Sequence, residues 1–172
     1  MASHKRKIQI GEARKYLELL DRALSSKYEV CGSIRRGKTE IGDIDFIVSG
    51  SLKKAAWEIQ KECDRCFADF KMLSKTINKK MDFLIDAIQF NAYLGDEANW
   101  GAMKLFLTGN HIFGIKLRAK AKRDGMKLNQ YGLWFGQDLI AGKTERQIFD
   151  ALGMSYVAPQ ERQIHPFTKR RS

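Results

Sequence analysis

The chain has 172 residues, 44% of them apolar, with 31 Lys and Arg against 20 Asp and Glu and a formal net charge of +11. That length and composition suit one ordinary domain or two small ones rather than a disordered chain. No apolar run is long enough to cross a membrane, and MASHKRKIQ has no apolar stretch behind its charges, so neither a membrane protein nor a secreted one is expected. GEARKYLELLDRAL has helical apolar spacing and runs into YEVCGS, a strand ending in a turn. IGDIDFIVSG alternates, with Ile44, Phe46 and Val48 on one face and Asp43, Asp45 and Ile47 on the other. A helix over about residues 52–67 carries Cys63 and Cys66, whose spacing in ECDRC suits a metal but has no second Cys or His pair to complete it. Strands follow around FKML and MDFLI, then a two-residue turn at Asp86-Ala87 and the alternating IQFNAY.

Past GDEAN the composition changes. WGAMKLFLTGN and HIFGIKLRAKAKRDG read as helices with basic faces, KLNQYGLW as a short β-rich stretch, and TERQIFDAL as a helix capped by Thr144, before a loose basic tail, HPFTKRRS. The chain thus divides into an α+β part, 1–98, and a mainly helical, basic part, 99–172. An odd count of three cysteines argues against a disulfide framework and for a reducing compartment. The excess positive charge favours a polyanionic partner through counterion release.

CGSIRRGKTEIGDID, residues 31–45, carries chemistry. Aspartates at i and i+2 of a strand project from one face about 6.5 Å apart, a spacing that suits a pair of divalent ions. Upstream, the Gly32-Ser33 turn offers backbone N–H groups and a hydroxyl to phosphate oxygens, and Arg36 adds charge that neutralises them. The order fits a nucleoside triphosphate lying between a basic turn and a metal-bearing strand.

GSIRRGKTEIGDID resembles the signature of the nucleotidyltransferase superfamily, and its GS-x-RRG with GDID is similar to the palm of the X-family DNA polymerases. WGAMKLFLTGN, LNQYGLW and TERQIFDALGMSYVAPQER are similar in order and spacing to that family's thumb. The resemblance, from about residue 10 to 162, implies a nucleotidyltransferase palm, a mixed β-sheet with helices on one face, followed by a small mainly helical thumb. No room is left for lyase or fingers domains, as in the smallest viral members.

Carried over by position, the resemblance implies that Asp43 and Asp45 hold two Mg²⁺ ions, with Mn²⁺ able to substitute. Ser33 and Arg36 would hold the β and γ phosphates, with Gly32 and Gly42 allowing close backbone approach. Phe106, Leu107 and Gly109 match the stretch beside the incoming sugar, with Phe106-Leu107 in place of the usual Tyr-Phe, and His111 matches a position near the incoming base. Gly114 stands where an asparagine is usual. Arg118 would probe the template minor groove, Lys120 and Lys122 lie on the same basic helix, and Asn129 and Tyr131 would pack under the template. The family's third carboxylate stands seventeen residues before the Thr of the thumb's TG. Counting back from Thr108 reaches Asn91, with Asp86 and Asp82 as rivals.

The activity implied is template-directed transfer of a nucleotide to a primer 3′-hydroxyl, slowed because Asn91 brings no charge. The partners implied are a primer-template or gapped duplex and nucleoside triphosphates. A monomer, located in the cytoplasm, on a nucleoid or in a virus, is expected. A template-independent nucleotidyltransferase and a non-catalytic DNA-binding relative are the alternatives.

Overall fold

A computed structural model describes residues 6–163. The tail HPFTKRRS lies outside the described residues. The described chain forms two compact units, residues 6–34 with 38–95 and residues 35–37 with 96–163.

The first unit is built on a five-stranded mixed sheet, ordered β2 (Tyr28–Val30), β4 (Asp43–Val48), β7 (Ile88–Leu94), β6 (Lys80–Ile85) and β5 (Phe70–Met72). β4 and β7 run parallel, and every other neighbouring pair is antiparallel. Two helices, α1 (Ile10–Ala23) and α3 (Leu52–Cys66), share one apolar core with it, and a single helical turn, α2 (Gly32–Arg35), follows β2. The alternation of the sequence explains the packing: Ile44, Phe46 and Val48 from β4 and Ile88, Phe90 and Ala92 from β7 are fully buried with Tyr16, Leu20 and Ile59 from the helices. Phe83 stacks on Phe90 at 5.1 Å between ring centroids and meets Phe46 edge-on at 6.3 Å. Asp86 and Ala87, both at positive φ, form the tight turn of the β6–β7 hairpin, as their sequence predicts. A short ladder between β1 (Ile8–Gln9) and β3 (Glu40–Ile41) adds a feature too brief to leave a sequence pattern.

Cys63 is buried in this core, and burial pushes its thiol up to about 12, so it stays protonated at neutral pH. Cys31 and Cys63 are buried and Cys66 exposed, and none of the three forms a disulfide among the described residues.

The second unit contains α4 (Trp100–Thr108), α5 (His111–Arg123), α6 (Glu145–Ala151) and an antiparallel sheet of β8 (Lys127–Asn129), β9 (Gly132–Phe135) and β10 (Asp138–Ala141). Its core gathers Leu105, Phe113, Leu117, Ala121, Leu133, Ile148 and Phe149. On α5 the buried Phe113, Leu117 and Ala121 recur every four residues and leave the lysines outward. Gly101 lets α4 lie against the backbone of Thr144, where a Cβ would meet main-chain atoms at 2.3 Å. Thr144 completes a capping box with Gln147. β10 extends the β-rich stretch beyond KLNQYGLW; its Asp138, Leu139 and Ile140 are all exposed, so it lacks the alternation that marks a half-buried strand.

Candidate active site

Asp43 and Asp45 project from β4 on the face opposite Ile44 and Phe46. The parallel register sets Asp43 beside Gln89 and Asp45 beside Asn91 of β7. Asn91, 5% exposed, donates its amide Nδ2 to Asp45 Oδ1 at 2.8 Å and to Asp43 Oδ2 at 3.4 Å, while its Oδ1 accepts from Gln89 Nε2 at 2.8 Å. Asn91 thus hydrogen-bonds both aspartates, with Asp82 of β6 as its cross-strand neighbour. Of the rivals, Asp82 pairs with Lys80 at 2.8 Å, and Asp86 accepts from Tyr16 and from the Asp69 amide at the hairpin turn. Burial raises the hydroxyl pKa of Tyr93, which follows Asn91 on the same face.

Gly32 packs directly against Asp45. Its φ is +61°, and a Cβ there would lie 2.4 Å from Asp45 Oδ2, so only glycine fits. The Cys31 amide donates to the Asp45 carbonyl at 2.7 Å, tying this turn to β4. The Ser33 hydroxyl is buried and has no hydrogen-bond partner among the described residues. A polar atom so placed incurs a desolvation cost unless a ligand satisfies it, which suits a phosphate oxygen. Gly42 has open space around its Cα and no left-handed φ, so the fold itself does not require glycine there.

Hard carboxylate oxygens fit a divalent cation such as Mg²⁺. Among the described residues no three His, Cys, Asp or Glu side chains converge on a metal position. The pair Asp43–Asp45 offers oxygens, whereas Asn91 presents amide hydrogens.

In the second unit, Thr108 and Gly109 end α4. Arg35 donates to Thr108 Oγ1 at 2.8 Å, and Arg36 donates to the Thr108 carbonyl. Arg35 also forms a two-pronged pair with Glu145 at 2.6 and 2.8 Å, and Glu145 accepts further from Arg162 at 2.9 Å and Tyr156 at 3.1 Å. Burial would raise the Glu145 carboxyl, but the two guanidinium groups outweigh it and hold the pKa at about 2. Arg162 is 1% exposed and lies over the rings of Phe113, Phe149 and Tyr156. This buried ion network escaped sequence reading. Glu145 directly follows the recognised cap Thr144, but nothing in the string links it to Arg35 or to Arg162.

Phe106 is 48% exposed beside a cleft of roughly 300 Å³, counting the open space at its mouth, lined by Leu105, Phe113, Leu117 and Leu128 with Arg118 and Asn129 among its polar groups. Gly114 makes room for the Arg118 guanidinium, since a Cβ there would lie 3.2 Å from Nη1. Leu107 is half-buried, and Gly109 has φ +40° at the α4 terminus. His111 is exposed at the start of α5, which Asn110 caps by accepting from the Phe113 amide. Lys122 is exposed, whereas Lys120 pairs with Asp124 one turn on. Asn129 Oδ1 accepts from the Tyr131 amide at 2.8 Å, so this asparagine shapes the β8–β9 turn.

Residues 9–115 match the family model described as DNA polymerase beta palm, and residues 103–163 match that described as DNA polymerase beta thumb. The chain is 28% identical over 159 residues to Repair DNA polymerase X of African swine fever virus, covering 87% of this chain and 89% of the viral one. It is 28% identical over 171 residues to DNA polymerase lambda of Arabidopsis thaliana, covering 78% of this chain and 32% of the plant one, and 34% identical over 64 residues to DNA polymerase IV of Saccharomyces cerevisiae, covering 37% and 11%. With the glycine-serine turn, the paired aspartates and both matches in hand, the chain belongs to the DNA polymerase beta family of X-type nucleotidyltransferases.

Proposed function

We propose that this chain is a repair-type, template-directed DNA polymerase, in which residues 1–98 act as palm and 99–172 as thumb. The observation that carries the reading is the conjunction on one turn and one strand of a buried Ser33 hydroxyl with no partner among the described residues, a Gly32 backbone packed on Asp45, and the Asp43–Asp45 pair.

In this reading the primer 3′-hydroxyl gives up its proton to water, its oxygen forms a bond to the α-phosphorus as the bond to the β-phosphate oxygen breaks, and pyrophosphate leaves. Two Mg²⁺ ions, when bound at Asp43 and Asp45, supply Lewis acidity toward the hydroxyl and neutralise the triphosphate. Ser33 donates its hydroxyl to the β phosphate, and Arg36 supplies positive charge to the γ phosphate. Asn91 adds no negative charge and accepts no proton, so the chain binds DNA and nucleotide better than it turns them over. Phe106, Leu107, Gly109 and His111 serve the incoming nucleotide, whereas Arg118, Lys120, Lys122, Asn129 and Tyr131 serve the duplex. The excess positive charge supports a DNA partner, and the protein acts as a monomer.

The test is primer extension on gapped and single-stranded DNA with Mg²⁺ or Mn²⁺, with Asp43→Ala and Asp45→Ala as controls. Templated addition lost in both variants is the expected result. Untemplated addition would make the chain a template-independent nucleotidyltransferase, and binding without incorporation a non-catalytic DNA-binding relative. Incorporation at the parent rate by either variant would remove the aspartates from the chemistry.

A further inference from the structure

We infer that Gln89 sets which end of the Asn91 amide faces Asp43 and Asp45, and so controls how well this centre accepts a divalent cation. The inference rests on the reading that the two aspartates bind such cations. Gln89 and Asn91 stand at i and i+2 on β7 and share a face. Gln89 Nε2 donates to Asn91 Oδ1 at 2.8 Å, which uses the acceptor end of the Asn91 amide. The donor end is thereby turned to the carboxylates, at 2.8 Å from Asp45 and 3.4 Å from Asp43. Two amide hydrogens between two carboxylates take the electrostatic place of a cation.

With two carboxylates facing the amide directly, electrostatics favours this orientation. Turned over, Asn91 would set its carbonyl oxygen against two anionic groups with nothing between them. A divalent cation of the Mg²⁺ class reverses the preference, because it takes oxygen ligands and not amide hydrogens. Asn91 must then present Oδ1 inward and Nδ2 outward, and Gln89 must rotate its own amide so that Oε1 accepts from Asn91. Glutamine has both a donor and an acceptor end and suits either arrangement. The cation therefore competes with two paired amides that are already satisfied, and Gln89 is the positioning residue that holds Asn91 in the unproductive state.

A glutamate at position 89 would remove the choice. An ionised carboxylate only accepts, so Asn91 would donate Nδ2 to it and direct Oδ1 at the aspartates. The experiment measures Mn²⁺ binding by electron paramagnetic resonance of the free ion, on the full chain without DNA or nucleotide. Gln89→Glu should tighten binding by about 10–100-fold, the range through which outer-shell partners shift metal affinity. The added charge alone would also attract a cation, so the same substitution is made in an Asn91→Leu background, where the gain should shrink to the part that the charge supplies. A gain as large there as in the parent background, or no gain in Gln89→Glu itself, overturns the inference. Gln89→Leu, which removes the donor to Asn91 Oδ1 without adding charge, should give a smaller gain; its absence overturns the inference even if the glutamate variant fails to fold. Asp45→Asn separates the two readings. If it leaves Mn²⁺ affinity unchanged, the metal reading itself fails, whereas lost binding with a silent Gln89→Glu discards only the role of Gln89.

Discussion

Replacing Glu145 with glutamine removes the carboxylate on which Arg35, Arg162 and Tyr156 converge. Glu145 and the Arg162 side chain are at most 6% exposed and the Arg35 side chain is 17% exposed, so water replaces little of what is lost. A carboxyl held at about 2 instead of its ordinary 4.5 contributes roughly 3 kcal/mol to the folded state at neutral pH. The cost of stranding one side of a buried ion pair, about 3–5 kcal/mol, agrees. Because the folded-state pKa is depressed, this contribution is fully present above about pH 4.5 and is lost as the pH falls toward 2. Urea unfolding followed by circular dichroism from pH 7 to pH 2 should show Glu145→Gln destabilised by about 3 kcal/mol at neutral pH, with a melting point lower by roughly 6–12 °C. The gap from the parent should close progressively below pH 4.5. A loss under 1 kcal/mol at pH 7, or a gap that stays constant across that range, would refute the view that Glu145 is an ionised anchor for two buried arginines.

Gly32→Ala should destabilise by about 2–3 kcal/mol, from left-handed strain plus a Cβ driven against Asp45, and urea titration would detect it. If Asn91 stands in for the third carboxylate, Asn91→Asp should raise the single-turnover rate in saturating Mg²⁺; a gain of ~3 kcal/mol is on the order of a hundredfold. No acceleration would discard that role. Alanine at Arg118, Lys120 and Lys122 together should weaken duplex binding and flatten its log–log salt dependence by up to about 0.9 for each phosphate no longer neutralised. Lys120, already paired with Asp124, should contribute least.

Several parts of this protein are local in the sequence and were legible there. The period-two alternation of IGDIDFIV and IQFNAY assigns Ile44, Phe46, Ile88 and Phe90 to the core and Asp43, Asp45 and Asn91 to the opposite face, because side chains on a pleated strand alternate. Asp86-Ala87 shows as a tight turn and Thr144 as a helix cap for equally local reasons. What the string does not carry is pairing across distance. Parallel β4–β7 register, which brings Asn91 to Asp45 across 46 positions, depends on a crossover through α3 and other strands and not on a neighbouring turn. The Glu145 network joins Arg35 to a residue 110 positions away, and burial of three charges becomes tolerable only once their partners meet. Sequence likewise named Asn91 as an amide where an acid is usual, but which end of that amide faces the aspartates is settled by Gln89 and the two carboxylates in three dimensions, because each hydrogen bond in that chain determines the donor left for the next.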